Sequence, residues 1–179
     1  MTARLEYWRV SPEAAKLMAH LNAYLKKSSI EMSLRHLVLL RVSQINGCAY
    51  CVDLHTSEAL RDGEDGQRLH CLVAWHETSL YSPRECAALA YAESVTRIIE
   101  SHVSDDDYEK AAQQFSDLEL VDLTLMVSAM NAWNRMAISF RRPVTEPRSA
   151  HSVGRGGSEV SPEGRQRFIS LPESEEIGR

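Results

Sequence analysis

The sequence predicts an all-α protein, a single-domain bundle of about seven helices. Residues 1–146 contain only three of the 8 glycines, and no part of them alternates apolar and polar residues with the period of two that a half-buried strand requires. Apolar residues instead recur at steps of three and four, which is the spacing of one helix face. Residues 147–179 combine the other glycines with serines and mixed charge. We expect them to form a flexible C-terminal extension.

The predicted helices are marked by capping residues at their starts. Ser11 precedes a proline, and Ser104 precedes an aspartate-rich turn whose negative charge complements the helix dipole. Ser82 and Ser116 each have a glutamate three residues later, which is the capping-box pattern. The apolar spacing of the fifth segment places Ile99 on its buried face. The seven segments begin near residues 12, 34, 49, 66, 83, 105 and 118, and the last ends near residue 140.

Composition and charge exclude several classes of function. The chain has 179 residues, 44% of them hydrophobic, and a net charge of -5, so it has the core of a globular domain but no basic excess for nucleic acid. The N-terminus has no apolar h-region, and the uncharged stretch 123–134 is far shorter than the roughly 20 apolar residues of a membrane span. Four cysteines are too few for a disulfide scaffold. We therefore expect a soluble cytoplasmic protein.

Two of the four cysteines and one histidine form the chemical centre of the sequence. Cys48, Cys51 and His55 follow Gly47 at the start of a predicted helix. At about 100° per residue, their side chains share one stripe of that helix. A helix N-terminus and a neighbouring imidazole both favour the thiolate, which is the nucleophilic form of cysteine. The spacing also permits a reversible disulfide, which is a two-electron switch that needs no cofactor.

Spacing alone leaves two other interpretations of this cluster open. The thiols could be small core residues, although this leaves the aligned His55 unexplained. A structural zinc site would need a fourth ligand such as Cys71 or His70, and the sequence has no second CxxC. Cys71 and Cys86 lie in apolar helical patterns and are predicted to be core residues. We expect neither a metal nor an organic cofactor.

A longer segment around the cysteines resembles a known family. The run from Leu37 to Thr56 closely resembles the central motif of the alkylhydroperoxidase D-like branch of the carboxymuconolactone decarboxylase superfamily. The likeness continues through Trp75 and through the run Asn131-Ala-Trp-Asn-Arg, and it covers roughly residues 4–143. The resemblance implies an all-helical subunit that assembles into trimers or hexamers. It also implies a peroxidase activity.

The resemblance further implies a role for each residue of the cluster. Cys51 matches the peroxidatic cysteine, Cys48 the resolving cysteine and His55 the histidine of the proton relay. Attack of the Cys51 thiolate on a hydroperoxide would leave a sulfenic acid, which Cys48 condenses into a disulfide. An external dithiol then reduces this disulfide. In the family's best-known members that dithiol is a protein-bound lipoyl group.

Two positions depart from the family pattern. The family places a glutamate twelve residues before the first cysteine, where this sequence has His36, and many members have a histidine where this sequence has Tyr50. An imidazole can relay a proton, but it cannot stabilise a neighbouring imidazolium by its charge. His36 either replaces the glutamate as a base, marks a member with altered activity, or is an ordinary histidine on the helix face.

The sequence therefore predicts a thiol-dependent peroxidase, or dithiol oxidoreductase of the peroxiredoxin type. Its predicted site residues are Cys51, Cys48, His55 and His36. Two alternatives belong to other functional classes. A decarboxylase-like, non-redox enzyme would act on a lactone acid, but that chemistry needs no thiol pair. An oligomeric redox sensor would form the disulfide without turnover.

Overall fold

The computed structural model describes residues 2–144, and every regular element in that range is helical, which confirms the all-α class. The predicted segment 66–75 is present as an α-helix followed by a 3₁₀ helix. The predicted extension 147–179 lies outside the described residues. The elements are α1 Tyr7–Val10, α2 Pro12–Leu25, α3 Met32–Ile45, α4 Ala49–Arg61, α5 Gly66–Cys71, the 3₁₀ helix Leu72–Glu77, α6 Pro83–Thr96, α7 Ile98–Ser101, α8 Asp105–Ala112 and α9 Asp117–Ser139.

Helix α3 is the centre of the fold. It packs against α4, α6 and α9, while α2 packs on α9 and α8 on α6. Leu37, Val38 and Val42 of α3 are fully buried. A helix covered on several sides has to be apolar around much of its circumference, and α3 has this character. Within residues 2–144, none of the helices combines the length and the apolar character that crossing a bilayer demands.

Three of the four predicted serine caps form, at the starts of α6, α8 and α9. Ser82 and Ser116 each form a complete capping box with the glutamate three residues later. Ser104 accepts a hydrogen bond at 3.2 Å from a backbone N–H in the first turn of α8. Ser11 is the residue before α2, but its side chain makes no capping hydrogen bond. Helix α2 therefore begins with its proline and the acidic Glu13 of its first turn as start signals.

The fifth predicted helix is shorter than its apolar pattern suggests. Helix α6 ends at Thr96, the backbone turns at Arg97, and α7 follows as one short turn. The Ser101 hydroxyl donates to the carbonyl of Ser94 at 2.6 Å and so satisfies an acceptor near the end of α6. The prediction that Ile99 faces the core is wrong, since the residue is 84% exposed. The turn rotates it out of the register of α6.

We expect the substitution Ser116→Ala to lower the free energy of unfolding by about 1 kcal/mol, because a backbone N–H at the start of α9 loses its acceptor. Urea denaturation followed by circular dichroism measures this change. Ser79→Ala is the control, since Ser79 is exposed and lies outside the helices; it should change stability by less than about 0.5 kcal/mol. Equal losses in the two variants would contradict the capping role.

Candidate active site

The cysteine pair lies directly after the turn that ends α3. Gly47 has a φ of 67°, a left-handed conformation that residues with a side chain rarely adopt. The backbone N–H of Cys48 donates to the carbonyl of Ser43 at 3.0 Å and closes the turn. Cys48 is the N-cap residue of α4, and Cys51 lies in the first turn of that helix. Both thiols are therefore at a helix start, as their position directly after Gly47 predicts.

A cavity of about 400 Å³ opens beside the pair. Cys51 lines this cavity, whereas Cys48 is only 1% exposed and does not contribute to the wall. The cavity therefore reaches Cys51 and not Cys48. Much of the wall is apolar or aromatic, formed by residues that include Tyr7, Leu39, Tyr50, Leu54, Met126 and Trp133.

The two thiols share a hydrogen bond, and this bond shifts their pKa values in opposite directions. The bond from Cys51 holds the pKa of Cys48 at about 7, against the opposing effect of burial. The same bond, together with burial and the charge on Cys48, raises the pKa of Cys51. The pair therefore loses one proton near neutral pH and keeps the other. The charge is favoured on Cys48, but Cys51 is the cysteine that lines the cavity, so attack by Cys51 requires the remaining proton to move between the two sulfurs.

Two residues from helix α9 and the segment after it also stabilise the thiolate. A hydrogen bond from Asn134 and the positive charge of Arg142 each lower the pKa of both thiols. The guanidinium carbon of Arg142 lies 4.0 Å from the ring centroid of Tyr50 and 4.7 Å from that of Trp8. Sequence reasoning identified neither residue as part of the site, because only the packing of distant segments brings them to the cysteines.

His55 is held by a carboxylate on its own helix. Its Nδ1 lies 3.1 Å from Oε2 of Glu58, and both residues line the cavity. Burial acts to raise the pKa of Glu58, but the hydrogen bond and charge of His55 and the charges of Arg61 and His36 outweigh it and hold this pKa below its ordinary value. Glu58 is thus an ionised acceptor for the imidazole. The spacing of one helical turn between the two residues is a signal that could have identified Glu58.

His36 pairs with a second carboxylate at the same cavity. Its Nε2 lies 3.0 Å from Oδ2 of Asp62, and its Nδ1 is buried without a hydrogen-bond partner. The structure therefore brings the four predicted site residues to one place. Cys51, His55 and His36 lie on the cavity wall, and Cys48 lies next to Cys51.

The other two cysteines lie outside this site. Cys71 and Cys86 are both half-buried, and Cys86 packs at the edge of the apolar cluster that contains Trp75. The prediction that they are core residues is therefore only partly correct. Among residues 2–144, no group of three or more histidine, cysteine, aspartate or glutamate side chains is arranged to hold a metal ion.

We expect the rate of alkylation of the reduced protein by iodoacetamide to rise with pH through a midpoint near 7, because the thiolate is the reacting form. Arg142→Met should move this midpoint upward by about one unit, since a nearby positive charge is lost. Arg141→Met is the matched control, because Arg141 is exposed and does not line the cavity. An unchanged midpoint in Arg142→Met would rule out the electrostatic role of this residue.

Comparison with known families places these residues in a wider context. The model of the carboxymuconolactone decarboxylase family matches residues 12–94, which include both site cysteines, His36 and His55. The uncharacterized protein YdfG of Bacillus subtilis (strain 168) is 42% identical over 139 residues, which are 78% of this chain and 95% of YdfG. The match therefore extends over nearly the whole of that relative.

Solved structures share the helical arrangement. The protein of unknown function ATU0492 from Agrobacterium tumefaciens, provisionally named as an antioxidant defence protein AhpD, superposes with a TM-score of 0.79 at 39% identity and covers 81% of this chain and 99% of its own. An uncharacterized peroxidase-related protein from Ralstonia eutropha JMP134 with an alkylhydroperoxidase AhpD core shares the fold, with a TM-score of 0.69 at 19% identity over 78% of this chain and 75% of its own. The chain belongs to the alkylhydroperoxidase D-like branch of the carboxymuconolactone decarboxylase superfamily.

Proposed function

We propose that this protein is a thiol-dependent peroxidase that reduces hydroperoxides through Cys51 and Cys48. The observation that carries the proposal is a cavity lined by Cys51, with Cys48 beside it at the start of the same helix and the His55–Glu58 pair on the same wall. The two cysteines supply a nucleophilic sulfur and a second sulfur to close a disulfide, which together deliver two electrons.

The first step forms a sulfenic acid on Cys51. Its thiolate attacks the terminal oxygen of the hydroperoxide, an S–O bond forms and the O–O bond breaks. The sulfur is oxidised, and the peroxide is reduced to an alkoxide. This alkoxide takes a proton from His55 and leaves as an alcohol. Glu58, ionised and 3.1 Å from Nδ1, holds the imidazole in one orientation during the transfer.

The second step closes the disulfide. Cys48, which now holds the proton that left Cys51, attacks the Cys51 sulfur. An S–S bond forms, the S–O bond breaks, and the hydroxyl group takes the Cys48 proton and leaves as water. An external dithiol then reduces the disulfide by exchange and returns both thiols. We propose a lipoyl-type dithiol for this role and the cytoplasm as the compartment, because reducing conditions there regenerate the pair.

We also propose that the subunit works as a homo-oligomer, a trimer or a hexamer, as its resemblance to the family implies. Large apolar side chains on the surface of the isolated subunit support association. Leu17 is 71% exposed, and Leu118 and Val121 of α9 are 62% and 56% exposed. Covering such side chains in an assembly removes apolar area from water.

We expect Cys51→Ser to abolish hydroperoxide consumption in a coupled assay with a dithiol reductant, because the attacking sulfur is lost. Cys86→Ser, which changes a cysteine away from the cavity, should keep the wild-type rate. One equivalent of cumene hydroperoxide should lower the mass of the reduced wild type by about 2 Da, localised to Cys48 and Cys51. Undiminished turnover in Cys51→Ser would refute the proposal. A disulfide without turnover would indicate a redox sensor, and thiols that do not react would favour a non-redox enzyme.

We expect His36→Glu to lower peroxidase turnover by at least about tenfold. A glutamate at this position would face Asp62, the partner of His36, with Glu58 nearby, and like charges would disfavour its ionised form. The double variant His36→Glu with Asp62→His exchanges the two groups and should recover part of the rate. A gain in turnover from His36→Glu alone would show that His36 does not replace the family's glutamate as a base.

A further inference from the structure

A network of three amide side chains lies next to the cysteine pair. Asn131 and Asn134 are buried on α9, 9% and 0% exposed. Asn46, the residue after α3, reaches both: its Nδ2 lies 2.9 Å from Oδ1 of Asn131 and 2.9 Å from Oδ1 of Asn134. A buried amide is unfavourable unless its donors and acceptors are paired. The partners of each atom therefore indicate what the network is for.

These partners determine which way the amide of Asn134 points. Asn46 Nδ2 also lies 3.0 Å from the backbone carbonyl of Val42, which identifies it as the NH₂ end of Asn46, with two hydrogens shared among three acceptors. The Asn134 atom that accepts from Asn46 is therefore its carbonyl oxygen. Asn134 Nδ2 donates one hydrogen to Ser43 Oγ at 3.3 Å, and Ser43 Oγ gives its own hydrogen to the Leu39 carbonyl at 2.8 Å. One hydrogen of Asn134 Nδ2 remains.

We propose that Asn134 directs this hydrogen at the sulfurs of Cys48 and Cys51 and is a catalytic residue that stabilises the thiolate from which the reaction starts. Asn134 and Cys48 meet at one residue, because the Ser43 hydroxyl accepts from Asn134 Nδ2 at 3.3 Å and the Ser43 carbonyl accepts from the Cys48 N–H at 3.0 Å. Hydrogen bonding from Asn134 also lowers the pKa of both thiols. The two cysteines are 1% and 3% exposed, so little water can solvate the charge, and a fixed donor takes its place. The inference rests on the proposed function in taking this pair as the reactive centre.

Asn131 provides a matched comparison within the same network. It is the same residue type on the same helix, and it accepts from the same Asn46 Nδ2. Its own Nδ2, however, donates to the carbonyl of Val127 at 3.0 Å and to Thr96 Oγ1 at 3.3 Å. Both of its hydrogens therefore have other acceptors. Replacing Asn131 disturbs the network without removing a donor to sulfur.

The test measures the pH dependence of iodoacetamide alkylation on the reduced full chain, without peroxide. Asn134→Leu should raise the midpoint by about one unit, which is about a tenfold smaller thiolate fraction below the midpoint. Asn131→Leu should move it by less than about 0.3 units if only Asn134 donates to sulfur. Equal shifts in the two variants, or no shift in Asn134→Leu, would overturn the proposal.

A second variant covers the case in which Asn134→Leu does not fold, as judged by circular dichroism. Asn134→Asp keeps the size of the side chain and an oxygen to accept from Asn46, but it replaces the donor with a negative charge. Its alkylation midpoint should rise by more than that of the leucine variant, and an unchanged midpoint would overturn the proposal. Alkylation needs no peroxidase activity. A wild type that fails to consume peroxide would therefore refute the proposed function and leave this test intact.

Discussion

The turn at Gly47 is the constraint on which the site depends. It joins the buried central helix α3 to α4 through residues 46–48 alone, and its left-handed φ of 67° favours glycine. Two residues at the end of α3, Ser43 and Asn46, also hydrogen-bond to the side chain of Asn134, which faces the thiols. The Ser43 carbonyl accepts from the N–H of Cys48, and its hydroxyl accepts from Asn134. One short segment thus ends a helix, positions the first sulfur and orients its donor.

Ionisation of a buried thiol is unfavourable, and the fold offsets this with groups from separate parts of the chain. The neighbouring thiol and Asn134 supply hydrogen bonds, and Arg142 supplies a positive charge. In a site with little water each of these interactions is stronger than it would be at the surface. Arg142 is held in place because the two ends of the domain meet. The backbone N–H of Arg4 donates to the Phe140 carbonyl at 2.9 Å, and Trp8 stacks on the guanidinium. Packing of the chain ends therefore contributes to the reactivity of a cysteine in the middle of the chain.

Features that depend on neighbours in the sequence could be predicted, and features that depend on packing could not. The caps at Ser82 and Ser116 and the alignment of Cys51 with His55 follow from spacings of three and four residues, which a helix converts directly into contacts. Glu58 obeys the same rule and could have been found. Asn134 belongs to the run Asn131-Ala-Trp-Asn-Arg that carries part of the resemblance, but the run does not reveal its place beside the cysteines, which arises only where α9 packs on the end of α3. Arg142 carries no local signal. The prediction for Ile99 was wrong although its apolar spacing fits one helix face. Helix α6 ends at Thr96, before Ile99, and the hydrogen bond from Ser101 to Ser94 that accompanies this end cannot be read from apolar spacing.

The departure from the family pattern at position 36 is best understood together with the acids around it. His55 pairs with Glu58 and His36 with Asp62, so each imidazole at the cavity already has a carboxylate on one ring nitrogen. A glutamate in place of His36 would add a third carboxylate to this group, and mutual repulsion would keep one of the three protonated. With histidine there, both acids stay ionised and each ring is oriented by its bonded nitrogen. The other ring nitrogen of His55 is left for a proton that comes from or goes to the cavity, whereas Nδ1 of His36 is buried. Under the proposed function, the loss of the family's glutamate therefore relocates the carboxylate of the relay to Glu58 and does not remove it.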